Sequence, residues 1–145
     1  MSSFDQNVVQ NALYAKIVGN AALMALLSTT SAYAGVYRLD VPEGAPYPYI
    51  YFFRVTAPPV DTFDTKQQRI LYQIEVYTQA SGSKEAPELA GDIITAIDGV
   101  LNRQTLSFTG FICCEFDIDL GEEYDNETKI ARSIVQYVIR ASVEN

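Results

Sequence analysis

The stretch Arg69-Ile70-Leu71-Tyr72-Gln73-Ile74-Glu75-Val76-Tyr77-Thr78 decides the fold. Ile70, Tyr72, Ile74 and Val76 fall on one side of an extended chain and Arg69, Gln73 and Glu75 on the other, which is the two-residue period of a strand with one buried face. The same period returns near the C-terminus, where Ala131, Ser133, Val135, Tyr137 and Ile139 form an inward row and Arg132, Gln136 and Arg140 an outward one. Between these, Leu106, Phe108, Ile112, Cys114, Phe116 and Ile118 alternate with Glu115, Asp117 and Asp119, a third long strand with a bend near Gly110. Upstream, Tyr47 to Thr56 is apolar on both faces, with Tyr49, Tyr51, Phe53 and Val55 on one and Ile50 and Phe52 on the other. Ala57-Pro58-Pro59 ends it, since proline cannot donate to a ladder, and the segment from Ala57 to Gln68 reads as a long loop.

Helical spacing appears in two places. Val8, Val9, Ala12, Leu13 and Ile17 mark a helix from Asp5 to Val18; Gly19 breaks it, and Asn20 can cap a short second helix carrying Leu23, Leu26 and Leu27. After the turn at Ser81-Gly82-Ser83 a long helix runs to about Leu101, with Pro87 in its first turn, where no amide is needed. Its buried stripe is Leu89, Ile93, Ile97 and Val100, with Glu88, Asp92 and Asp98 outside it. Val36 to Leu39 reads as a brief strand. The expected fold is a single α+β domain over residues 1–145, a mostly antiparallel four-stranded sheet with an N-terminal helical hairpin and one long helix packed on one face.

Pairing the last two strands around Gly121 to Glu127 with Asp117 opposite Arg132 and Glu115 diagonal to it keeps the polar rows on one face. Arg132, Ile134, Gln136, Val138 and Arg140, with Glu115 and Asp117, then form a mixed apolar and charged face, as a subunit interface requires; a solvated sheet face is the alternative.

The 145 residues are 48% hydrophobic, enough for a core, and 10 Lys and Arg against 18 Asp and Glu give a net charge of −8. A chain this acidic repels a phosphate backbone, which argues against sequence-independent nucleic-acid binding. With no histidine, imidazole-dependent nucleophilic catalysis, proton shuttling and metal ligation are excluded. Cys113 and Cys114 are neighbours on a strand, point to opposite faces and read as small apolar residues of a reducing compartment. Ala32-Tyr33-Ala34 imitates a secretory cleavage site, but the first nineteen residues carry only Asp5 and Lys16 and lack a basic leader. No apolar run reaches the roughly 18 residues of a membrane span.

The acidic segment from Asp117 to Glu127 fails as a calcium loop: glycine falls at position 5, Thr128 at position 12, and strands flank it. Asn126-Glu127-Thr128 matches a glycosylation acceptor, which matters only after export. No carboxylate pair is placed in a cleft by the sequence, so no catalytic, metal or cofactor residue is expected. The aromatic run Tyr47 to Phe53 lacks interleaved Lys or Arg and reads as packing surface instead of a stacking platform for bases.

Ala12-Leu13-Tyr14-Ala15 followed by Ala21-Ala22-Leu23, then Val36-Tyr37 with Val41-Pro42-Glu43-Gly44-Ala45-Pro46-Tyr47-Pro48-Tyr49, then Glu75-Val76-Tyr77-Thr78 before Gly82 and Glu85, resembles the tail completion or tail terminator family of long-tailed bacteriophages, prophages and gene-transfer agents. The resemblance spans nearly the whole chain; Tyr77 stands where relatives often carry tryptophan. It implies a structural virion protein, not an enzyme, assembled in the host cytoplasm into the tail at the head–tail junction. It further implies a ring, typically hexameric, that caps the tail tube, stops its growth and meets the head connector. Six copies would carry −48, and a negative bore lets DNA pass without specific binding. In such a ring the loop with Asp61, Asp64 and Lys66 and the acidic turn from Leu120 to Glu127, with Glu122, Glu123, Asp125 and Glu127, are expected to face the lumen or the adjoining layers, and the Arg132 face a neighbouring copy. The runner-up functions are a head-side stopper or adaptor ring and a monomeric acidic inhibitor.

Overall fold

A computed structural model of the chain describes residues 6–27, 35–38, 41, 43–56, 65–80, 85–105 and 111–144. Helices α1 (Gln6–Val18), α2 (Ala21–Met24) and α3 (Ala86–Leu101) accompany strands β1 (Val36–Tyr37), β2 (Tyr49–Thr56), β3 (Thr65–Gln79), β4 (Gln104–Thr105), β5 (Phe111–Asp125) and β6 (Ile130–Glu144). The strands form one sheet in the order β1-β2-β3-β6-β5-β4. The α+β class and the antiparallel centre agree with the sequence. The count of four strands is corrected: the two-residue strands β1 and β4 extend the sheet at its edges, and β1 runs parallel to β2.

β3 and β6 pair in unbroken register over fifteen residues, from Thr65 opposite Glu144 to Gln79 opposite Ile130. This pairing carries β3 through 65–68, into the region expected to be loop. The polar run Thr65-Lys66-Gln67-Gln68 has no strand period of its own and is extended because β6 offers it a partner. Asp61 and Asp64 of that expected loop lie outside the described residues, as do Leu106, Phe108 and Gly110, and the Lys66 side chain is not described.

The core lies between the sheet and the helices. Ile70, Tyr72, Ile74 and Val76 of β3 and Val135, Tyr137 and Ile139 of β6 pack with Ile93, Ile97, Val100 and Leu101 of α3 and Val9, Leu13, Ile17 and Leu23 of the helical hairpin. The Asn20 side chain accepts from the Leu23 amide at 2.8 Å, the expected cap of α2. Two polar contacts seat α3. The Thr78 hydroxyl donates to the Ala86 carbonyl at 2.7 Å, and the Tyr137 hydroxyl to Asp98 Oδ1 at 2.9 Å. Cys114 is buried on this side. The guanidinium of Arg38 ties the end of β1 to α1 by donating to Asn11 and lying 4.7 Å over the Tyr14 ring.

Candidate functional site on the outer face of the sheet

The face turned away from the helices holds the outward row predicted for β6, and its register corrects the predicted one. Arg132 lies opposite Glu123, and Glu115 opposite Val138. Asp117 has no partner on β6 because β5 gains an extra residue between the pairs Phe116–Tyr137 and Ile118–Gln136 and again between Asp119–Val135 and Gly121–Ile134. Each bulge moves the following residues to the other face. Ile118 therefore sides with Gln136 on the outer face, not with Phe116 in the core row, and the second bulge returns Glu122 to the helix side. There it accepts from the Ser133 hydroxyl at 3.0 Å. Gly121, at φ +102°, forms the second bulge, and its amide donates to Asp119 Oδ1 at 2.8 Å.

β5 runs on past both bulges to Asp125, so the acidic segment from Leu120 is mostly strand and the turn is confined to 126–129. From Glu115 to Lys129 every residue is exposed, and Phe116, Ile118, Leu120 and Tyr124 each keep more than two fifths of their surface in water. The hairpin end of β5 is an acidic sheet edge carrying scattered large apolar side chains.

At the centre of the face sits a carboxylate that sequence reasoning placed in solvent. Glu75 is 3% exposed. Its Oε1 accepts from Arg132 Nε at 2.9 Å and from the Tyr77 hydroxyl at 2.7 Å, and its Oε2 from Gln73 Nε2 at 2.7 Å. Gln73 accepts in turn from Gln136 Nε2 at 3.1 Å, and Arg132 Nη1 also reaches Glu123 Oε2 at 3.3 Å. Burial pushes the Glu75 carboxyl up, but the donors Arg132, Tyr77 and Gln73 outweigh it and hold the group below its ordinary value. Burial, then the neighbouring Glu75, push the Tyr77 hydroxyl up to about 12, and the Glu75 hydrogen bond keeps Arg132 firmly charged. Arg132 is thus spoken for within the chain. The only forewarning in the sequence was the i, i+2 spacing of Gln73, Glu75 and Tyr77 on one strand face.

This network borders a cleft of about 620 Å³ at the hairpin end of the face, lined by Tyr47, Tyr49, Tyr77, Glu123, Tyr124, Asp125, Asn126, Thr128, Ile130 and Arg132. The rings of Tyr49 and Tyr77 stack at 4.9 Å, and Tyr47 lies 5.3 Å from Tyr49. At the other end of the same face Arg69 and Arg140 stand directly opposite each other. Arg69 approaches Asp117 at 3.8 Å, whereas Arg140 is exposed. Of the remaining predicted face residues, Val138 is buried and Ile134 and Gln136 half-buried. Glu127 is exposed in the turn, where its amide donates to Asp125 Oδ1 at 2.9 Å. Among the described residues no group of three or more Cys, Asp or Glu side chains is arranged to hold a metal ion, and no helix is long and apolar enough to cross a membrane.

A family model described as Tail completion protein gp17 matches residues 11–142. A chain from the virion of a native gene transfer agent particle has the same fold, at 21% identity and TM-score 0.65 with 97% of each chain covered. A second solved structure is similar at 11% identity and TM-score 0.52, covering 94% of this chain and 96% of the other. No curated protein is similar enough to match.

Proposed function

The chain belongs to the tail completion protein gp17 family, and from that premise we propose that it forms a closed, hexameric ring that caps the tail tube, ends tube polymerisation and joins the tail to the head connector. As a member of this family it is a structural component of the virion tail. The observation that carries the proposal is the family match across residues 11–142, since it reaches every strand of the sheet.

Physical arguments fill in the rest. A domain of this length has a radius of gyration of about 15 Å and no bore, so a conduit for DNA requires several copies in cyclic symmetry, each using two different patches toward its two neighbours. The acid-rich hairpin, with seven carboxylates between Glu115 and Lys129 and all of that stretch exposed, suits a lumen or layer contact. There its field repels passing phosphates and lowers their residence on the wall.

Negative-stain imaging of tail-tube protein polymerised with and without this chain tests the reading. Tubes of defined length, each bearing a ring at one end, are expected. Tubes that grow on uncapped, or plugs found on empty heads instead, overturn it.

A further inference from the structure

We infer that the tyrosine-walled cleft beside Arg132 is a socket for Arg140 of a second copy of this chain, which supplies the contact between neighbours in the ring proposed above. The inference rests on that ring reading and adds the pair of patches that it needs.

The cleft has the chemistry of a cation site. Tyr49 is buried and stacked on Tyr77, with Tyr47 tilted beside it, so the half-buried Tyr47 and Tyr77 are the rings that the cleft offers, and open aromatic faces attract guanidinium groups. Glu123 and Asp125 stand among its lining residues as carboxylates. Arg132 does not cancel them both, because its Nε is engaged by the buried Glu75, which neutralises it from below. The balance over the tyrosines is negative.

Arg140 is the complementary group. It lies directly across from Arg69, and like charges opposed in a ladder repel. Asp117 relieves Arg69 at 3.8 Å, but among the described residues no carboxylate pairs with Arg140. Its own cleft is out of reach. Arg140 lies eight positions beyond Arg132 on β6, about 26 Å along a strand, several times the length of an arginine side chain. Cleft and arginine are therefore two distinct patches, one for each neighbour, as a cyclic contact demands. Charge complementarity selects the second copy as the occupant.

The test mixes unlabelled chain carrying Arg140→Lys with uniformly ¹⁵N-labelled parent chain and treats the mixture with a carbodiimide, which joins amines to carboxylates in contact. Mass spectrometry should find the amine at position 140 of one isotope joined to Glu123 or Asp125 of the other, and the link should vanish in the Glu123→Gln, Asp125→Asn variant. Sedimentation supplies a second reading. Arg140→Glu should weaken self-association by about tenfold or more, and adding Glu123→Arg to the same chain should restore it. Absence of mixed-isotope links at these positions, or Arg140→Glu chains that associate like the parent, overturns the inference. When tube protein is added to the same mixture, links from position 140 to tube protein alone overturn it as well. Capped tubes that still form with Arg140→Glu would remove this contact and leave the ring reading intact, whereas a lone subunit in finished particles would remove both.

Discussion

The Nε of Arg132 lies 2.9 Å from Oε1 of Glu75, joining residues 57 positions apart on adjacent strands. Glu75 is almost fully buried and Arg132 about one third exposed. A buried carboxylate deprived of its cation costs more than the intact pair contributes, because its desolvation is no longer offset. Arg132→Ala should therefore destabilise the fold by about 2–3 kcal/mol, read as a lower urea midpoint. The double variant Glu75→Leu with Arg132→Met should recover most of that loss, since both charges leave together. An Arg132→Ala midpoint equal to the parent's would show that the pair does not support the fold.

The same carboxylate sets an acid limit. Its folded value lies below its ordinary 4.5, so the native state binds fewer protons than the unfolded one in that interval. Its contribution is complete above the ordinary value and disappears as pH falls through the lowered one. Thermal scans should show a steeper loss of stability below about pH 4.5 in the parent than in Glu75→Gln.

At the alkaline end the sign reverses. Tyr77 is raised from 10.0 to about 12 by burial and by Glu75. Its neutral hydroxyl stabilises the fold fully below pH 10, and that contribution fades as pH climbs toward 12. The chain has ten tyrosines and no tryptophan, so absorbance at the phenolate band reports them without interference. Tyr49, Tyr72 and Tyr137 are also raised, with burial the first cause in each. The titration should show these four tyrosines as a late class that ionises together with unfolding. Ionisation of all four near pH 10, ahead of unfolding, would contradict the packing described.

Gly121 adopts φ +102° with open space where a side chain would begin. Strain, not collision, opposes substitution, and Gly121→Ala should cost about 1–2 kcal/mol in chemical denaturation. A neutral result would mean that the bulge relaxes freely.

Ile118 and Leu120 keep 46% and 49% of their surface exposed. Replacing both by Asp should alter unfolding free energy by no more than about 0.5 kcal/mol per site. If the hairpin meets an adjoining layer of the tail, the same variant should leave tails uncapped in the imaging assay. Normal capping would exclude these two side chains from any assembly contact.

Strands β3 and β6 were legible because apolar and polar side chains alternate along them, and their predicted inward rows are buried in the structure. The position of Glu75 was not legible. Its partner Arg132 is remote in sequence, and an outward carboxylate on a strand ordinarily meets water. The bulges of β5 were hidden too, since an inserted residue leaves the composition unchanged, and the predicted pairing of Asp117 with Arg132 failed because the turn lies at 126–129 and not at Gly121 to Glu127. The sequence placed Arg132 and Arg140 on one outward row, as in the structure, but could not tell that Arg132 is committed to Glu75 within its own chain, whereas among the described residues no ion pair holds Arg140.

The paired bulges behave like two compensating frameshifts. Removing a single residue at either would invert every side chain of β5 beyond it, exchanging the orientations of Glu122 and Glu123. Removing one at each would restore the tip and invert only the short span between them. Loop-length variation in this hairpin is thus quantised: natural or engineered deletions should be tolerated in pairs and rejected singly.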